Sequence, residues 1–162
     1  MKNVKFLLSA ALVFLASAAL AQDFSAPQYA KWGATPEERE QNILNSNFLK
    51  ESCDNRDYDA AAHYLKGLID KIPDAAESIY QRGAVVYKNK INRAKSVAEK
   101  NMFIDSLMLM YDMRAQYFGD NVKPGKTAFI LDQKAREFLR YKPNDRKGIR
   151  EAFRAAIAQG GD

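Results

Sequence analysis

Residues 55–87, NRDYDAAAHYLKGLIDKIPDAAESIYQRGAVVY, constrain this chain more than any other stretch. Tyr58, Ala61, Ala62, Leu65, Leu68, Ile69 and Ile72 recur at spacings of three and four, which puts them on one stripe of a helix. Pro73 stops that helix, because its nitrogen has no proton and its ring clashes with the turn before it. Asp74 can cap the next helix, whose stripe is Ile79, Gly83, Val86, Tyr87 and Ile91. The small residues Ala61 and Gly83 stand where two helices must approach closely. Short helices of this kind are marginal alone in water, so the stripes have to be buried against one another.

The same punctuation runs through the rest of the chain. Thr35-Pro36-Glu37-Glu38 is a helix start: threonine caps, proline suits the first helical position, and acids favour the positive end of the dipole. Ile43, Leu44, Phe48 and Ser52 then give the first helix its predicted inner face. The polar stretch 88–100 either prolongs the third helix or bends into a fourth, which carries Ile104, Leu107, Met108, Tyr111, Ala115 and Phe118 and stops at Gly119. After Pro124-Gly125, a fifth helix places Leu131, Ala135, Phe138 and Leu139 on one side. Beyond the turn Lys142-Pro143-Asn144-Asp145, Ile149, Ala152, Phe153, Ala156 and Ile157 share a face of the sixth. No segment shows the two-residue alternation of a half-buried strand. The chain reads as all-α, six helices in three antiparallel pairs at about 35–72, 74–118 and 126–159. Residues 22–34, with Pro27 and Gly33, read as an irregular arm, either mobile or lying on the first helices.

Residues 1–21 carry the marks of an export signal. Lys2 and Lys5 precede an apolar run from Phe6 to Ala18, and Ala19-Leu20-Ala21 is a small-x-small cleavage site. The expected mature protein begins at Gln22, is periplasmic or secreted, and does not span the membrane. No cysteine follows the cleavage site, so a lipoprotein anchor is not expected. The signal removes two of the 25 basic residues and no acid, leaving 23 against 20, or +3. That mild surplus does not call for nucleic acid. Cys53 is the single cysteine, so no intramolecular disulfide can form; it reads as a small buried side chain near a helix end, with an intermolecular disulfide or a reactive thiol as the alternative. The outer face of the last helix, Lys147, Arg150, Glu151 and Arg154, has the polarity of a capping helix. Another helix pair could also begin after Gly160-Gly161-Asp162, which leaves open that this is the front of a longer protein.

A unit numbered from Asn42 has Ala61 and Leu65 at its small and large second-helix positions and Pro73 at its end. The next unit, from Ala76, has Ile79, Gly83 and Val86 at the corresponding first-helix places. Over residues 42–87 this resembles a tetratricopeptide (TPR) repeat, a helix pair of about 34 residues. Arg82 stands where leucine is usual, and Asn45, Leu49 and Ser52 stand where an aromatic, a glycine and a tyrosine are common. Elsewhere only the periodicity matches, with a period nearer the mid-forties. Exported TPR-like proteins of Bacteroidota are similar. The resemblance implies an α-solenoid whose first helices line a concave groove, and a scaffold that binds a protein or peptide without chemistry of its own. By that resemblance the groove positions are Ser46, Lys50 and Cys53 in the first helix. In the third they are Glu77, Tyr80, Ala84 and Tyr87, and in the fifth Asp132 and Arg136. Tyr80 and Tyr87 either face the groove or pack between helices. The lysine-and-asparagine clamp that some relatives use for a terminal carboxylate is not reproduced.

Other chemistry has weaker signals. Met102, Met108, Met110 and Met113 are soft-metal donors by type, but methionine filling gaps in a core is the commoner use. His63 is the only histidine and has no ligand partner nearby in sequence. No nucleophile–base–orienter set and no glycine-rich phosphate loop can be proposed, so no cofactor, metal or catalytic residue is expected. A glycan or envelope polymer is the alternative ligand, stacked on Trp32, Tyr29 and Tyr117. Two basic runs, Lys88, Lys90, Arg93, Lys95 and Lys100, then Arg140, Lys142, Arg146, Lys147, Arg150 and Arg154, are either solvated helix surface or a seat for an anionic envelope component.

Overall fold

The structure is a computed structural model that describes residues 22–160. The export-signal reading falls on residues 1–21, outside the described residues. After a 3-10 turn at Pro27–Trp32 come α1 (Pro36–Asp54), α2 (Tyr58–Lys71), α3 (Glu77–Arg93), α4 (Val97–Phe118), α5 (Lys126–Tyr141) and α6 (Arg146–Gly160). The helices pack in sequential antiparallel pairs, and no strand occurs among the described residues. Most helix ends follow their sequence signals, but the cap expected from Asp74 is not made: α3 starts at Glu77 after Ala76, which has no side chain able to cap it. Thr35 Oγ1 accepts from the Glu38 amide at 3.2 Å and Asp57 Oδ1 from that of Ala60 at 3.1 Å. The stretch 88–100 bends: α3 ends at Arg93, Ser96 caps α4, and Glu99 reaches back to the Lys95 amide at 2.7 Å.

The core has two parts that meet at α3. The first joins Leu49 of α1, the predicted α2 stripe (Tyr58, Ala61, Leu65, Leu68) with Ile72 beyond its end, and Ile79, Tyr80 and Val86 of α3 to Met110 of α4. The second holds Ala84 and Ile91 of α3, Phe103, Ile104, Leu107, Met108 and Tyr111 of α4, and Ile130 of α5. α3 therefore packs on α4 through one flank and on α1 and α2 through another.

Three predicted faces are corrected. In α1 the buried side chains are Asn42, Ser46 and Leu49, whereas Leu44 is exposed. Asn42 can be buried because its amide donates to the Trp32 carbonyl at 2.8 Å. In α5 the inward positions are Ile130, Ala135 and Glu137, while Leu139 points outward. In α6 only Ala156 is buried, and Ile157, assigned to the inner face, is 75% exposed.

The arm lies on the first helices. The Arg39 guanidinium holds four of its carbonyls, those of Gly33 (2.9 Å), Phe24 (3.1 Å), Ser25 (3.3 Å) and Ala34 (3.3 Å). Trp32 packs against the first core.

Candidate partner-binding cleft

Each pair joins the next differently. α1 reaches α3 as well as α2, but no Cα of α3 comes within 8 Å of one in α5. α5 leans on α4 instead, and the space left between α3 and α5 is a cleft of about 370 Å³. Its floor is Met110, Tyr111 and Arg114 of α4. One wall is Tyr80, Gln81, Ala84, Val85 and Lys88 of α3, and the other is Phe129 and Gln133 of α5. Val85 and Phe129 are the exposed apolar rims, at 45% and 56%.

Two charge clusters span the gap, one towards each end. Glu77 receives Arg114 Nε at 2.9 Å and Lys126 Nζ at 2.7 Å, while Arg114 Nη1 donates to Gln133 Oε1 at 2.9 Å. Burial alone would raise the Glu77 carboxyl, but the hydrogen bonds from Lys126 and Arg114 outweigh it and hold the group below its ordinary range. At the other end Lys88 Nζ meets Glu137 Oε1 at 2.5 Å, and Arg140 Nη1 lies 3.4 Å from Glu137 Oε2, which accepts no hydrogen bond. Burial pulls the Lys88 ammonium down, yet Glu137 and the Tyr111 hydroxyl carry it above its usual value.

Of the residues assigned by resemblance, Tyr80 and Ala84 line this cleft. Tyr80 is a correction as an open contact: it is 1% exposed, stacks on Tyr117 at 6.3 Å, tilts against Phe118 at 5.9 Å, and donates its hydroxyl to the Pro73 carbonyl at 2.6 Å. The apolar surroundings and the neighbouring Tyr117 and Asp74 push that phenol far above its usual range. Glu77 braces one end, and Tyr87 is half-buried between the two core parts. Asp132 and Arg136 pair with each other at 2.7 Å on α5, outside the cleft. Phe129 and Gln133, each three residues earlier on α5, line the cleft instead. Ser46 is buried, and Lys50 pairs with Asp54 at 2.7 Å on the outside. The half-buried Cys53 thiol is pushed up by desolvation, with Arg82 opposing and Asp54 adding. The α1 positions are not brought to the cleft. Sequence reasoning missed Gln81, Val85, Phe129 and Gln133, although each pair is spaced by four and so shares a helix face.

The aromatics suggested as sugar platforms, Trp32, Tyr29 and Tyr117, are all partly buried. Met110 is core and Met102 is on the surface, and no cluster of three or more His, Cys, Asp or Glu could hold a metal among the described residues. Among the same residues no helix is long and apolar enough to cross a membrane. No known protein family, curated protein or solved structure matches the chain.

Proposed function

We propose that this chain is a non-enzymatic scaffold of the cell envelope that holds an extended protein or peptide segment in the cleft between α3 and α5. The observation that carries the reading is the gap itself. Two helices are kept apart over a floor of Met110 and Tyr111 with Arg114 beside them, with exposed Val85 and Phe129 at the rims and the Gln81 side-chain amide at the wall to meet a peptide backbone. We read the stack as a TPR-like α-solenoid. Supporting this are the contact of α1 with α3 and the close approach of Gly83 to Met110. Export from the cytoplasm is proposed from residues 1–21 alone, and N-terminal sequencing of the secreted or periplasmic fraction tests it by finding Gln22 first.

The binding test uses a displayed random-peptide library panned against the protein. Selected peptides are expected to bind the variant Val85→Asp plus Phe129→Asp at least tenfold more weakly. Both residues are surface rims, so circular dichroism should be unchanged. Selected peptides indifferent to that variant would remove the cleft as the seat.

A further inference from the structure

The two basic runs, some forty residues apart in sequence, are brought to one end of the fold. The α3–α4 turn and the α5–α6 turn lie side by side there: Lys142 Nζ, at the end of α5, donates to Asn101 Oδ1 in the first turns of α4 at 2.5 Å. Lys90 bonds Asp59 at the start of α2, which puts the α1–α2 turn at the same end. Residues 88–100 and 137–150 together hold ten basic residues against three acids, a surplus of seven, which residues 54–59 of the α1–α2 turn, with Arg56 against Asp54, Asp57 and Asp59, reduce to five. Residues 22–162 as a whole carry only 23 against 20, so the rest of that stretch is two charges negative.

The three acids of the two basic runs are already engaged. Glu99 accepts from the Lys95 amide, Asp145 from the Gly148 amide at 2.9 Å, and Glu137 is buried between Lys88 and Arg140. Asp59 offsets Lys90, and Glu151 lies 3.9 Å from Lys147. Arg93, Lys95, Lys100 and Arg146 are exposed, and none is paired with an acid among the described residues. Set among these cations is an apolar tip. Val97, the first residue of α4, is 77% exposed.

We propose that this end of the molecule, the α3–α4 and α5–α6 turns with Val97 at their tip, docks onto an anionic lipid surface. A patch of unpaired lysine and arginine gains attraction from lipid phosphates, and a projecting valine suits the boundary between headgroups and acyl chains. A soluble polyanion would use the cations and gain nothing from Val97. The surface adjoins the Lys88–Glu137 end of the α3–α5 cleft, but Lys95, Val97, Lys100 and Arg146 do not line the cleft, so its test does not depend on the cleft's function.

The test is cosedimentation of the full chain with vesicles of phosphatidylcholine alone or mixed with phosphatidylglycerol, in low and raised salt. Residues 1–21 are common to every variant, so differences between variants report the patch. Binding is expected to require phosphatidylglycerol and to fall as salt rises. Lys95→Gln, Lys100→Gln and Arg146→Gln together should weaken it about a hundredfold, roughly fivefold for each cation. Val97→Ser should weaken vesicle binding while leaving binding to inorganic polyphosphate unchanged. Equal binding to both vesicle types, or binding to polyphosphate but not to vesicles, would overturn the proposal. So would a triple variant that binds like the unaltered protein.

Discussion

The sulfur of Met110 occupies the space a side chain at position 83 would need. A Cβ on Gly83 would lie 2.7 Å from Met110 Sδ, 3.1 Å from its Cγ and 3.2 Å from Leu65 Cδ1. The absent side chain is what lets α3 press on α4 and α2 at once. Gly83→Ala gains about 1 kcal/mol of helix propensity but overpacks a sealed core at about 1–3 kcal/mol. Chemical denaturation should show a net loss of about 1 kcal/mol. In the Met110→Ala background the same change should turn neutral or stabilising, and a loss of equal size there would break the argument.

Tyr80 makes a second separable case. Its hydroxyl serves the Pro73 carbonyl at the α2–α3 corner, and its ring fills core between Tyr117 and Phe118. Tyr80→Phe should cost about 1 kcal/mol, and Tyr80→Ala about 3–5 kcal/mol. Thermal unfolding of the two variants ranks these directly. Because the phenol is held far above its usual range, no tyrosinate signal from Tyr80 should develop before the protein unfolds in alkali.

Acid should loosen the brace at Glu77. Its folded-state value is depressed, so its contribution is present above the ordinary glutamate value of 4.5 and disappears as pH falls through the lower folded value. At neutral pH Glu77→Gln should cost roughly 2 kcal/mol, the scale of charge-assisted hydrogen bonds. The gap between variant and unaltered protein should close as pH is lowered below 4.5. Urea titrations at several pH values check this, and a gap that widens in acid would contradict it.

The arm depends on one side chain. Arg39→Ala removes the donor to the carbonyls of Phe24, Ser25, Gly33 and Ala34. The expected cost is about 2–3 kcal/mol. Amide exchange should accelerate across residues 24–34 while the α3 and α4 cores stay protected. Protection of the arm equal to that in the unaltered protein would show that Trp32 packing alone holds it.

Helix α2 was legible because all of its large apolar residues fall on the buried side, and Pro73 marks its end. α1 was not, because its inward positions include Asn42 and Ser46, and the bond that permits Asn42 inside comes from Trp32, ten residues away. α5 misleads for a related reason. Glu137 points inward to meet Lys88, while Phe129 and Leu139 stay outside, so its apolar residues do not trace its buried face. The cleft was legible only from α3. Its α5 wall depends on where that helix sits, and this is fixed partly by bonds from Lys126, Gln133 and Glu137 to α3 and α4. α6 shows the same dependence on contact: a Cβ on Gly148 would lie 2.7 Å from the Phe138 ring, and nothing in residues 146–160 alone announces that partner.

Beyond the second core that they share, α3 and α5 are tied directly by two lysine arms, Lys126 to Glu77 and Lys88 to Glu137. Long, jointed struts tolerate stretching in a way that packed cores do not. The width between α3 and α5 can therefore give a little while the floor beneath it keeps its shape, and because these bridges are largely shielded from solvent, added salt would loosen them only slightly.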